Sequence, residues 1–238
     1  MKLLNTGGTN TKILKSQKGT EFKIASLSLY PDDLICTGAK LADCMRLCLK
    51  DSGFAQIFES VNNARKAKTD FWHYDKDAFK AQLIKEMKAF IIKCKKEGFK
   101  ACFRLNTISD IPWHKHGIPQ QFEESYLYDY TKVASRLGKT PANYDLIFSY
   151  SGAEKYQNQV KQALKTDYPI SAVFRGNVPI GKYFLGREII DGDSSDLNNT
   201  QAYNKIVGLK LKGNKAKKEK GLFIVEPWQL DQSLNYAA

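Results

Sequence analysis

The chain lacks any run of about 20 consecutive apolar residues, the length that crosses a bilayer, so no membrane span is expected. It also lacks an apolar N-terminus. Met1 to Lys18 is polar and rich in Gly, Thr and Lys, and no signal peptide is visible. There is no internal repeat and no linker-like stretch. Acidic residues are scarce beside basic ones, 25 against 37, which leaves a formal charge of +12. These absences point away from membrane and secreted classes. They predict a cytoplasmic, reducing setting, where clustered cysteines favour a metal over a disulfide.

What is present suffices for a full core. The chain has 238 residues, 42% of them hydrophobic, which argues against wholesale disorder. The expected organisation is a flexible N-terminal arm over residues 1–20 and a single α/β domain over residues 21–238. Glu21 to Tyr30 alternates apolar and polar residues as a strand does, and Pro31-Asp32-Asp33 breaks it. Ala39 to Leu49 suits a short helix. Asp75 to Lys96 is the clearest helix: Phe79, Leu83, Met87, Phe90, Ile91 and Cys94 form one apolar face, lysines cover the other, and Gly98 ends it. Further strands are expected at Phe99–Asn106, Tyr126–Tyr130, Tyr144–Tyr150, Ile170–Arg175, Ile206–Leu211 and Leu222–Val225, with a helix at Glu154–Leu164. Residues 176–204 read as loop. Strands alternating with helices or long crossovers predict an α/β fold with a barrel-like parallel sheet, a partial or complete (β/α) barrel, and a cysteine-rich first βα loop.

That loop holds Cys36, Cys44 and Cys48 within 13 residues, spaced C-x7-C-x3-C. Three soft ligands this close suit an iron–sulfur cluster, [4Fe–4S] with one iron open, or zinc with a histidine or water as fourth ligand. The plainer alternative is three small buried hydrophobes. Cys94, on the apolar helix face, and Cys102, inside a strand, read as core. His114-Lys115-His116 has the look of a metal pair, but exposed loop histidines are the commoner case. Asp191-Gly192-Asp193-Ser194-Ser195-Asp196 resembles a cation loop. It lacks the calcium-loop spacing and closing glutamate, and Asx-turn chemistry explains it nearly as well. Thr6-Gly7-Gly8 is too short for a phosphate loop.

Other polar residues gather where strands end: Arg104, Asn106, Ser109 and Asp110; then Tyr130 and Lys132; then Ser149 and Ser151; then Arg175. In parallel α/β folds that edge binds ligands. Arg104, Asn106, Asp110, Tyr130 and Lys132 are therefore the candidate catalytic set. Ser149, Ser151, Arg175, Asp191 and Asp193 are candidates for holding a cofactor. The excess of positive charge suits a polyanion. The run Lys210 to Lys220 carries six lysines against one glutamate, and Lys210, Lys212, Lys215, Lys217 and Lys218 are the candidate nucleic-acid contacts. Its plainer reading is a solvated edge.

Several stretches together resemble the gene product 88-like family of phages and prophages. They are C-T-G-A-K-L-A-D-C-M-R-L-C, F-R-L-N-T-I-S-D-I-P-W, Y-D-Y-T-K, I-I-D-G-D-S-S-D-L and I-V-G-L-K-L-K-G, spanning residues 36–213. The chain departs from the family pattern at Thr37, at Leu49, at Thr107-Ile108 and at Asn198. The resemblance implies a phage protein acting in the cytoplasm of an infected or lysogenic bacterial host. The layout is similar to radical S-adenosylmethionine enzymes, which hold a [4Fe–4S] cluster by three cysteines in the first βα loop with S-adenosylmethionine on the open iron. Their usual spacing is C-x3-C-x2-C, which this chain does not have. The resemblance thus implies redox or radical chemistry on a small molecule or a nucleic acid. The alternatives are a nucleic-acid-binding or DNA-nicking protein with structural cysteines, in which Tyr128 or Tyr130 is the nucleophile and His114/His116 hold a divalent ion, and a plain zinc-stabilised binding module.

Overall fold

A computed structural model describes residues 1–6, 10–48 and 57–230. Its centre is a ten-stranded, mostly parallel sheet. The strands are β1 (Leu4–Asn5), β2 (Phe22–Leu27), β3 (Lys100–Arg104), β4 (Tyr126–Thr131), β5 (Tyr144–Ser149), β6 (Ile170–Phe174), β7 (Tyr183–Phe184), β8 (Arg187–Asp191), β9 (Lys205–Lys210) and β10 (Ile224–Val225). Their order across the sheet is β1-β2-β3-β4-β5-β6-β9-β8-β7, with β10 also on β6. Along that order β2 through β8 pair in parallel, and the short outer strands β1 and β7 are antiparallel. No ladder joins β7 to β1 among the described residues, so the sheet is mixed α/β and is not seen to close into the expected barrel.

The helices are α1 (Thr11–Gln17), α2 (Glu59–Tyr74), α3 (Lys76–Lys96), α4 (Gln157–Leu164), α5 (Asp196–Thr200) and α6 (Asn214–Lys218). α3 forms as its apolar spacing predicts. Asp75 caps its start by accepting from the Ala78 N–H at 2.9 Å, and Phe79, Leu83, Met87, Phe90 and Cys94 are buried. Its end is a Schellman turn. Phe99 N–H reaches Cys94 O at 2.9 Å, while Gly98 takes φ +74, a conformation that costs a residue with a Cβ. The buried face of α3 packs with Ala25, Leu27, Phe103, Leu127 and Phe148 in the main core. Alternate residues point to the opposite sheet face, where Ile24, Cys102 and Tyr128 meet Ile13 of α1 and Leu197 of α5. Cys94 and Cys102 are buried in these two cores, as expected.

Four expectations are corrected. Residues 1–20 are not a free arm: β1 pairs with β2, the Glu86 carboxylate accepts from the Leu3 and Leu4 N–H groups, and α1 packs on the sheet. Ala39 to Cys48 forms consecutive turns rather than a helix, and Leu49 lies outside the described residues, as do Gly7 and Gly8. Residues 176–204 carry β7, β8 and α5 rather than loop alone, and α2 was not expected at all. No helix among the described residues is long and apolar enough to cross a membrane.

Candidate functional site

The cysteine segment lies between β2 and α2, at the edge where the parallel strands end. Its turns begin at Asp32, whose carboxylate accepts from the Leu34 and Ile35 N–H groups and pairs with His73 Nε2 at 2.7 Å. Turn hydrogen bonds follow from Cys36 N–H to Asp32 O, Ala39 N–H to Cys36 O and Cys44 N–H to Ala39 O. Ser151 donates to Ala42 O at 2.7 Å and pins the loop to the end of β5. Gly38 presses on Lys132 so closely that an added Cβ would sit 2.5 Å from the Lys132 Cβ, which is why no larger residue fits there.

The Cys36 thiol lies within electrostatic reach of the other two. Burial raises the Cys36 thiol far above its ordinary value, and the nearby Cys48, Asp110 and Cys44 raise it further. Burial also raises Cys44, which the adjacent Lys132 opposes. A thiol raised this way is neutral at ordinary pH and becomes a thiolate ligand only when a cation replaces its proton. Among the described residues, no three His, Cys, Asp or Glu side chains stand in a metal-holding arrangement. The fit to a soft metal is therefore one of donor chemistry, not of preformed geometry.

Lys132 is the cation of this edge. Its Nζ donates to Tyr150 O at 3.0 Å and Ser149 O at 3.3 Å, and burial lowers its pKa while Cys44 and Asp110 pull it back up. Asp110 sets the Lys132 backbone by accepting from its N–H at 2.9 Å and is itself paired with Arg136 at 2.6 Å. Tyr156 braces the same spot with its hydroxyl on Lys132 O and Ser149 O. Asn106 is a buried hub rather than a reactive group. Its side-chain oxygen accepts from Ser109, the Ile111 N–H and Trp113 Nε1, and its own N–H donates to Asp129 at 2.6 Å.

Arg104 and Tyr130 form a second cluster with α1 and α5. Arg104 Nη1 meets Asp196 Oδ2 at 2.6 Å. Lys12 Nζ and the Tyr130 hydroxyl each meet Asp196 Oδ1 at 2.7 Å. Asp196 N–H donates to Ser16 Oγ. The paired cations hold Asp196 below the usual carboxylate range although burial opposes them. By register, Arg104, Tyr130 and Ser149 share one sheet face, since Cys102 pairs with Tyr126, Tyr130 with Ile147 and Ser149 with Ser171. The five residues expected to line one pocket thus divide: Asp110 and Lys132 stand at the thiol edge with Asn106 behind them, and Arg104 and Tyr130 stand with Asp196.

The remaining candidates are occupied within the fold. Arg175 pairs with Glu226 and donates to Lys217 O and Glu219 O, which ties α6 to the sheet. Asp191 closes an Asx turn on the Asp193 N–H, and Asp193 pairs with Lys212 at 2.8 Å and accepts from the Lys210 N–H. Asp196 is also paired, so Asp193 and Asp196 spend their carboxylates on cations of the chain. Ser149 touches Ser171 through its hydroxyl. Lys217 and Lys218 are exposed, and the Lys215 side chain lies outside the described residues. His116 stacks edge-on against Trp72 and Trp113, and His114 lies beside Tyr144. Tyr128 is buried and Tyr130 gives its hydroxyl to Asp196, so neither is presented as a surface nucleophile. Lys12, Asp129, Arg136 and Asn199 were not singled out by sequence, because nothing local marks them; only the fold joins them to these clusters.

A family model described as gene product 88 matches residues 2–225. No curated protein and no solved structure matches the chain.

Proposed function

The chain belongs to the gene product 88 family, and from that premise we propose that it is a phage-type iron–sulfur protein acting as a redox or radical enzyme. Cys36, Cys44 and Cys48 would hold a [4Fe–4S] cluster, with zinc as the alternative occupant, and S-adenosylmethionine would take the open position. The observation that carries the reading is that Cys36, Cys44 and Cys48 come from one loop at the edge where parallel strands end, with Cys44 and Cys48 close enough to raise the Cys36 thiol. When bound, such a cluster supplies single electrons. The chain's own residues do the rest. Lys132 fixes a positive charge beside Cys44, Asp110 and Arg136 hold Lys132 in place, and Gly38 lets the loop close down on it. The substrate is a small molecule or a nucleic acid.

Anaerobic purification followed by iron, sulfide and zinc analysis tests this directly. The expected result is broad brown absorbance with iron and sulfide, lost in Cys36→Ser, Cys44→Ser and Cys48→Ser. Colourless protein with stoichiometric zinc would move the chain to the zinc-stabilised binding module. Protein with neither metal sinks the ligand reading.

A nucleic-acid-binding protein with structural cysteines is the second reading. It is favoured by Cys36 and Cys44 packing against the main core and by exposed α3 lysines, among them Lys85, Lys88, Lys93 and Lys96, that make no ion pair with a described residue. In that case the Cys→Ser variants should keep their binding to duplex DNA, while the lysines govern it.

A further inference from the structure

We propose that the Asp196 cluster is a binding subsite for a small oxyanion, the carboxylate or phosphate group of a small-molecule ligand. The first argument is charge. Two cations, Lys12 and Arg104, converge on one carboxylate, so the cluster holds an uncompensated positive charge on a largely covered sheet face. Asp129, the carboxylate of β4, is already engaged by the Asn106 N–H and the Tyr144 hydroxyl. Asp193 is engaged by Lys212.

The second argument is unmet hydrogen bonding. Arg104 Nε is buried without a partner among the described residues, although buried guanidinium N–H groups are nearly always satisfied. Asn199 Oδ1 is likewise buried with no partner among the described residues, while its Nδ2 donates to Gly192 O and the Tyr130 hydroxyl. One unused donor and one unused acceptor flank the same tyrosine. An oxyanion with an adjacent N–H or O–H would satisfy both.

The third argument is the setting. The Arg104 guanidinium lies over the Tyr130 ring at 4.9 Å and the Tyr128 ring at 5.9 Å, which orients it. Lys12 keeps 17% of its side chain exposed and Arg104 11%, against 0% for Asp196, so the approach from solvent runs past Lys12. Arg104, Tyr130 and Asp196 come from three separate stretches of the chain, and their meeting owes nothing to local sequence. The subsite does not depend on a metal at the thiols.

The test titrates the full-length protein with inorganic phosphate and, separately, acetate, at ionic strength held constant with chloride. Calorimetry reads the binding, and the side-chain Nε–H resonance of Arg104, assigned through its own carbons, reads its place. Saturable binding that shifts this resonance is the expected result, and the anion that achieves it identifies phosphate or carboxylate. Lys12→Gln should weaken binding about tenfold, the loss of one charge-assisted hydrogen bond, and Lys12→Arg should retain it. No saturable binding of either anion overturns the proposal. So does binding that leaves the Arg104 resonance unmoved, a readout that stands even should Lys12→Gln fail to fold.

Discussion

Asp129 is buried on the helix side of β4, where its carboxylate accepts from the Asn106 N–H at 2.6 Å and the Tyr144 hydroxyl at 2.9 Å. Burial raises its pKa to about 7 in spite of those bonds. The unfolded chain gives up that proton near pH 4, the folded chain near 7. The contribution to stability is therefore whole below about pH 4 and is lost as pH rises through 7, because the folded state binds the extra proton over that window. Asp129→Asn, which cannot ionise, should flatten the fall. Urea unfolding at pH 4, 6 and 8 checks this: the variant should gain on the parent as pH rises. Equal slopes for the two proteins would mean that Asp129 is already charged in the fold. Asn106 also shows how far a single residue misled. Polar side chains at strand ends look reactive in sequence, but Asn106 spends its bonding capacity holding residues 107–113.

Elements were legible where apolar spacing was dense. α3 follows from Phe79, Leu83, Met87, Phe90 and Cys94, and β3 to β6 follow from short apolar runs. α2 was not legible, because its 16 residues bury only Thr69 and Trp72, too little for a stripe. β8 hid among turn residues although it sits inside the parallel sheet beside β9. α1 hid because seven mostly polar residues carry one buried aliphatic, Ile13. The cysteine spacing is plain in the sequence, yet among the described residues it makes no metal-holding group. The Asp196 cluster was not legible, since it needs Lys12 from a stretch read as an arm. The end of α3 offers a check at this scale. Gly98 stands at φ +74 with nothing within 4 Å of a Cβ added there, so substitution meets strain but no clash. Gly98→Ala should cost about 1 kcal/mol, the left-handed penalty of a residue with a Cβ. A denaturation midpoint unchanged from the parent would show that the Schellman turn relaxes freely.

Across the whole molecule the dominant quantity is a formal charge of +12. The fold distributes it unevenly. Lys212 is neutralised by Asp193, Lys23 by Glu97, Lys80 by Asp77 and Lys95 by Glu124. Lys217 and Lys218 project from α6, which Arg175 anchors through its backbone carbonyls, so their charges are held near the sheet edge while their side chains stay in water. Should this excess serve a nucleic acid, released counterions drive the binding, and affinity falls steeply with salt whatever the sequence. Neutralising Lys217 and Lys218 together with Lys215 should then weaken binding to unrelated duplexes about equally. The slope of log K against log salt should flatten by about 0.9 for each phosphate that the variant no longer neutralises. Changing Lys85, Lys88 and Lys96 instead asks the same of α3, where these three lie within about 16 Å along the helix at 1.5 Å per residue. The set of lysines whose removal flattens the slope is the one that meets the phosphates. A parent protein that binds neither DNA nor RNA at low salt removes nucleic acid from the proposed partners altogether.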